Sequence, residues 1–349
     1  SRRGFSWGEF VAKNKILVLL YVYLILSSLW AEQSFPTLKR AVKDFGNVSV
    51  ALVLLTETNP LQAVRMMFVR SSYILFPLSI VFIKYYPALG RITGRTGDSF
   101  FSGMAWHKSS LGEIVFLCGL FIVLDLMEMH HESRGEKRKL AKWIRYGLLL
   151  MGFWLVYTCG SVTAFFCFTI GCCIIWGTGR LVRLKNPGLI LIRCIAAFLC
   201  IFIMEKTFDI SDTILHAVGK NKSLTGRTEI WEMAERAKTP AMLGTGYLAF
   251  WNTSYARVIQ KEFDGMMNSA HNGFLDMYLD GGFVGLGLLV LLMVKWGISS
   301  IVRTLHGTIF GRVALMIWIL SIIFNYSETA LFRLDPMWFI LIVMMIECP

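Results

Sequence analysis

The sequence predicts an all-α polytopic membrane protein with about ten transmembrane helices and one large, mainly helical external loop. Three observations predict it. First, 55% of the 349 residues are hydrophobic and only 17% are charged, with a mean hydropathy of +0.58. Such a chain has too little polar surface to fold as a soluble domain. Second, apolar runs of bilayer length recur through most of the chain. Third, most of the excess behind the net charge of +12 lies in short loops between those runs, as the positive-inside rule requires. No Arg/Lys stripe with interleaved aromatics lies on a soluble segment, so nucleic acid is not an expected partner.

The spans follow in order. The first is read at about 14–31, behind Arg2, Arg3, Lys13 and Lys15, and the second, shorter, at about 44–57. The third, about 62–83, is entered past Arg65 and Arg70 and ends at Tyr85, Tyr86 and Pro87. A polar loop at about 84–110 leads to the fourth, about 111–128. The fifth and sixth, about 143–159 and 161–178, form a hairpin joined at Cys159, Gly160 and Ser161. The seventh lies at about 189–204, and a long polar segment then runs to Asp280. The eighth, ninth and tenth lie at about 282–300, 312–327 and 336–347. The loops around 134–145, 180–193 and 295–312 are strongly basic and are assigned to the cytoplasm, with the N-terminus. Loops 31–43, 84–110, 205–281 and 328–335 then face outside; Lys39, Arg40 and Lys43 are the exception to the charge rule. The chain therefore divides into N-terminal helices with their external loop (1–204), a long external loop (205–281) and C-terminal helices (282–349). Nearly all of the eight cysteines fall inside apolar runs and read as packing residues, without disulfide or zinc spacing. The chain starts at Ser1 without a cleavable signal pattern and stops just after an apolar run, so a fragment trimmed at one or both ends is expected.

The chemistry gathers in the external layer. From Asn268 to Gly285, a polar segment gives way to an apolar one. Ser269 is a plausible N-cap, and Leu275, Tyr278 and Leu279 share one helical face, which places His271 in the first turn. The positive end of a helix disfavours imidazolium, and a neutral imidazole can take a proton. Gly281 and Gly282 break this short helix before the run from Phe283 to Val294. On these features alone, a helix-capping His is the commoner case. Upstream, Thr225 would cap a helix through Arg227 and Trp231 that stops before Pro240. Its unpaired N–H groups beside a guanidinium suit a phosphate, although a solvated surface helix explains the pattern as well. The tight turn at Gly244 and Gly246 is weak support for any particular chemistry.

His271-Asn272, nine residues, then Gly282-Phe-Val-Gly285 resembles the signature of the bacterial O-antigen ligase and Wzy-type polysaccharide polymerase family. The Gly226-Arg227 to Trp231 block, the Gly244-Thr-Gly246 turn and the His271 segment occur in that family's order. The stretch Asn325-Tyr-Ser-Glu328 is similar to its segment near the penultimate helix. The stretches Tyr86 to Gly90 and Gly103 to Gly112 look like its first large external loop. The pattern covers most of the chain and is closest to exopolysaccharide-production polymerases of the ExoQ kind. Ser109 departs from it, because many relatives carry Asn after the Lys. Relatives also commonly have more spans, so N-terminal helices are expected to be missing.

The resemblance implies a glycosyltransferase of GT-C-like kind in the bacterial inner membrane, multi-pass, with its active site facing the periplasm. It would move glycan from undecaprenyl pyrophosphate to an acceptor sugar, polymerising exopolysaccharide or O-antigen repeat units; attachment to a lipid A core is the alternative within the family. His271 would deprotonate the acceptor hydroxyl, and Arg227 would hold the pyrophosphate. Arg91, Arg95 and Lys108 are further candidates for the anion, with interfacial anchoring as the competing role. Asn272 and Glu328 could orient the imidazole or the sugar, and His107 reads as a loop residue. Expected partners are the lipid-linked glycan donor, a glycan or lipid A core acceptor and membrane lipids, and the setting admits other polysaccharide assembly proteins. No cofactor is expected and no metal, because a lipid pyrophosphate already leaves readily. A transporter or flippase for lipid-linked sugars is the reading from another class. It fits less well, because Glu113, Asp125, Arg193 and Glu205 sit near span ends and no internal repeat is visible.

Overall fold

The computed structural model describes residues 6–93, 99–131, 136–181, 188, 227–263 and 267–347. Within them the chain is mostly helical, with almost no sheet. Helices α1 (Trp7–Lys13) and α2 (Lys15–Leu26) form one apolar stretch bent by 91°. Next come α3 (Ser34–Leu55) and α4 (Pro60–Tyr85), then the short α5 (Pro87–Gly90). A small antiparallel hairpin follows, β1 (Arg91–Thr93) and β2 (Ser99–Phe101), with Ile92 opposite Phe100. The long helices α6 (Lys108–His131), α7 (Glu136–Cys159) and α8 (Val162–Leu181) come next. The external segment contributes α9 (Arg227–Arg236) and α10 (Arg257–Glu262). The chain ends in α11 (Gly273–Leu305), α12 (Ile309–Ser327) and α13 (Pro336–Met345).

Among the described residues, five helices are long and apolar enough to cross a membrane, or six if the bent pair counts as one span. They are α4, α6, α8, α11 and α12, which coincide with the expected third, fourth, sixth, eighth and ninth spans. The expected second and fifth spans are helical but fall short in composition. The first half of α3 carries Lys39, Arg40, Lys43 and Asp44, and that of α7 carries Lys137, Arg138, Lys139, Lys142 and Arg145. The expected tenth span is the ten-residue α13, only about 15 Å of helix. Its side chains from Trp338 to Met345 are nearly all buried, so it is a core helix shielded by its neighbours. The seventh expected span lies outside the described residues. Gly160, at φ +64°, makes the predicted hairpin turn between α7 and α8.

Two ends of the bundle differ in chemistry. One end gathers the α2–α3 turn, the hairpin, the α7–α8 turn, the 241–263 and 267–272 segments and the 328–335 loop. Ser27 accepts from the Tyr247 N–H at 2.9 Å, and Thr163 meets Ser327 at 3.1 Å. Arg40 donates to the Leu248 carbonyl at 2.8 Å, so this basic residue on the anomalous side caps loop backbone. The opposite end is tied by charge. Arg65 and Arg145 both reach Asp125, at 3.3 and 2.6 Å, and Arg65 also pairs with Glu128. Asn14 donates to the Glu347 carbonyl and accepts from its N–H. The aliphatic and aromatic core lies between these ends. The five cysteines seen in α6–α8 are unpaired, and Cys118, Cys159 and Cys167 are buried, as expected of packing residues.

Candidate functional site

The break in α11 organises the first of these ends. Gly282 sits at φ +61° and ψ −163°, a non-helical pair inside the helix. A helix broken there leaves amides and carbonyls that must find other partners. The 241–250 segment supplies them. Phe283 and Val284 donate to the carbonyls of Ala241 and Met242, while the Leu279 and Asp280 carbonyls accept from Thr245 and Gly246. Tyr23 adds hydrogen bonds to the Leu243 and Gly281 carbonyls. The Asp280 carboxylate accepts from the Ala249 and Phe250 N–H groups, at 3.1 and 3.0 Å. A Cβ on Gly244 would lie 2.3 Å from the Asp280 oxygen, and one on Gly282 would lie 2.4 Å from the Met242 backbone. The Gly244-Thr-Gly246 turn is therefore the plug of the broken helix.

Nearly two turns before the break, Asp276 holds the approach to His271. It is buried and accepts from Trp251 Nε1 at 2.8 Å, from the Ala270 N–H at 2.9 Å and from Thr329 Oγ1 at 2.6 Å. Arg333 lies 3.9 Å away and donates to the Asn268 carbonyl. Ala270 precedes His271 and Thr329 follows Glu328, so one carboxylate sets the spacing of the two chains that carry them. The Gly273 N–H also donates to the Glu328 carbonyl at 3.1 Å.

Two local expectations are corrected. The N-cap of α11 is Asn272, whose side chain accepts from the Phe274 and Leu275 N–H groups at 3.1 Å each; Ser269 is simply buried. His271 therefore precedes the cap instead of lying in the first turn. Its φ of +50° is in the left-handed region, uncommon for residues other than Gly, although Asn, Asp and His enter it more readily than the rest. Strain of this kind collects where surrounding contacts over-determine a conformation. Here His271 Nδ1 meets Glu328 Oε2 at 3.1 Å. Glu328 is buried at the end of α12, and its other oxygen accepts from Ser109 Oγ at 2.8 Å. The His107 ring lies 6.3 Å from that of His271. With Nδ1 engaged, Nε2 is the ring nitrogen left to address a substrate.

The remaining candidates separate. Arg227 is the first residue of α9, and its side chain lies outside the described residues, as do Arg95 and the expected cap Thr225. Trp231, one turn further, donates from Nε1 to the Ala270 carbonyl at 2.8 Å. The helix that Arg227 opens is thus fastened to the residue before His271. Arg91 points its guanidinium at the Ile83 carbonyl, at 3.2 and 3.0 Å, and packs over Phe101. Lys108 opens α6 and lies 4.1 Å from the centre of the Phe100 ring. Glu113 accepts from the Met337 N–H at 2.8 Å, anchoring the start of α13. Reading the sequence did not single out Ser109, Asp276 or Arg333 for the site. The partners of Ser109 and Arg333 lie more than fifty positions away, and no local spacing announces such pairs.

Two comparisons bear on this geometry. Residues 146–290, which include His271 and Arg227, match the model of the family described as O-antigen ligase. The fold is thus that of a helical membrane protein with several spans, and its residues 146–290 are similar to the O-antigen ligase family. A particular relative follows. The chain is 33% identical over 100 residues to exopolysaccharide production protein ExoQ of Rhizobium meliloti (strain 1021). The aligned stretch covers 27% of this chain and 23% of that protein's length. Both findings support the resemblance drawn from the His271-Asn272 and Gly282 motif.

Proposed function

We propose that this chain is an inner-membrane glycosyltransferase of GT-C-like kind. It moves glycan from undecaprenyl pyrophosphate to an acceptor sugar, polymerising exopolysaccharide or O-antigen repeat units. The carrying observation is the His271–Glu328 pair, held where α6, α11 and α12 meet, with His271 inside the O-antigen ligase segment. In this reading His271 Nε2 takes the proton of the acceptor hydroxyl as its oxygen attacks the anomeric carbon. The bond to the pyrophosphate breaks and its electron pair leaves with the phosphate oxygen. Arg227, at the start of α9, neutralises the departing charge. Glu328 orients the imidazole, while Asn272 fixes the helix start that follows it. Lys108 and Arg95 are further candidates for the pyrophosphate anion, and Arg91 supports the hairpin.

The reading also assigns this end of the bundle to the periplasm and carries about ten spans in three parts, 1–204, 205–281 and 282–349. Metal independence belongs to it on chemical grounds, because lipid pyrophosphate is a good leaving group. Full transfer in EDTA is the expected outcome, and loss restored only by a divalent ion would overturn that part. The match to the O-antigen ligase model keeps attachment of finished glycan to lipid A core as the second reading. The glycan of a deletion strain separates the two. Single repeat units on the carrier indicate a polymerase, and full-length chains left on the carrier indicate a ligase. An unchanged surface glycan would sink both. Complementation with His271→Ala should leave the protein at normal abundance and transfer down by about 10²–10⁴-fold.

A further inference from the structure

We propose that Ser109 is a positioning residue for His271, acting through Glu328: its hydroxyl donates to Glu328 Oε1 at 2.8 Å, while Oε2 of the same carboxylate holds His271 Nδ1 at 3.1 Å. The inference rests on the reading of His271 as the base. Ser109 is the second residue of α6. A serine in a first helical turn ordinarily turns its hydroxyl onto backbone of that turn. Here it reaches an acid 219 residues away in sequence. The two oxygens of Glu328 are thereby divided between two elements, with α6 holding one and the His271 segment the other. A carboxylate with a donor on Oε1 is restrained in its rotation and so steadies the direction in which Oε2 meets the ring. It then fixes the imidazole with Nδ1 as donor and Nε2 as acceptor, the arrangement a base at Nε2 requires. Ser109 also passes on the rigidity of α6, whose 24 residues run through the core, to a ring whose own backbone is strained.

Other charged groups surround this pair. His107 lies against the His271 ring, and Lys108 neighbours Ser109 at the head of α6. Glu113 is one turn further along that helix, and Asp276 and Arg333 approach through Thr329 and the 328–335 loop. Asp335 stands beside Glu113, and the Ser109 N–H donates to His107 Nδ1 at 3.5 Å; Ser109→Thr and Ser109→Val keep all of these groups, so the contrast between the two variants reports the hydroxyl.

Thr and Val have the same shape and differ in the hydroxyl, which makes them the informative pair. The full chain in vesicles would be given a lipid-pyrophosphate-linked repeat unit, and transfer would be measured against pH for wild type, Ser109→Thr and Ser109→Val. Ser109→Val should lower kcat about 10-fold, the worth of one hydrogen bond to a charged group, with KM little changed. Its acid limb should move to higher pH. A carboxylate that has lost one donor is the stronger acceptor and holds an imidazolium more tightly, which withdraws the free base. Ser109→Thr should restore the wild-type rate and limb. Equal profiles for Val and Thr, or a Val defect confined to KM, would overturn the proposal. Ser109→Ala gives the same contrast should the branched side chains fail to accumulate. His271→Ala, assayed in parallel, separates the two levels. Wild-type transfer in that variant defeats the proposed function itself; an inactive His271→Ala beside a wild-type Ser109→Val defeats only the role of Ser109.

Discussion

His271 holds a backbone angle that most side chains avoid, and the residues around it explain why it stays there. Asp276 fixes the amide of Ala270 on one side and Thr329 on the other. Glu328 takes the ring nitrogen that then faces it. Asp276→Ala would leave Trp251 Nε1 and the Ala270 N–H buried without an acceptor, each costing about 1–3 kcal/mol. A lower melting temperature in detergent, with transfer reduced beyond the loss of folded protein, is the expected result. Unchanged stability would show that Asp276 does not hold the site together. The sequence made His271 and Glu328 visible through family motifs, and Asp276 stayed hidden. An acid in the first turn of a helix is common for dipole reasons alone, and its partners Trp251 and Thr329 are 25 and 53 positions away.

At the scale of elements, the broken α11 and its plug form one unit. Gly281 and Gly282 announced the break because glycine is the residue that can leave a helix at positive φ. The purpose of Gly244 and Gly246 could not be read from a three-residue turn, since it depends on backbone 34 to 38 positions on. Gly282→Ala and Gly244→Ala combine positive φ with a close approach of backbone. Each should destabilise by about 2 kcal/mol or more. Gly287→Ala, with nothing within 4 Å of the added Cβ, should be neutral or slightly stabilising. Chemical or thermal melts of the three variants check this, and equal melts would show that the plug carries no load. The β1–β2 hairpin escaped the sequence reading for a different reason. Strands of three residues are too short to show a period of two.

At the scale of the whole molecule, helices with clean apolar periods were legible and those with charged heads were not. Helices α4, α6, α8 and α12 follow their apolar runs closely. In α3 and α7, basic first halves run on unbroken into the apolar half, so helix length exceeds apolar length. The charge rule also sorts the two ends of the bundle, and it predicts sidedness. A cysteine at the exposed Met242 should react with an impermeant maleimide added to intact spheroplasts. A cysteine at the exposed His306 should react only after permeabilisation, and the reverse pattern would invert the topology. The central claim is that an imidazole steadied by Glu328 at the outer boundary joins two sugars. Its most direct test is the purified chain in vesicles, supplied with a lipid-pyrophosphate-linked oligosaccharide and an acceptor, with products resolved by size. The account predicts longer or transferred glycan and released lipid pyrophosphate with wild type, and neither with His271→Ala. Equal product from both proteins would contradict it.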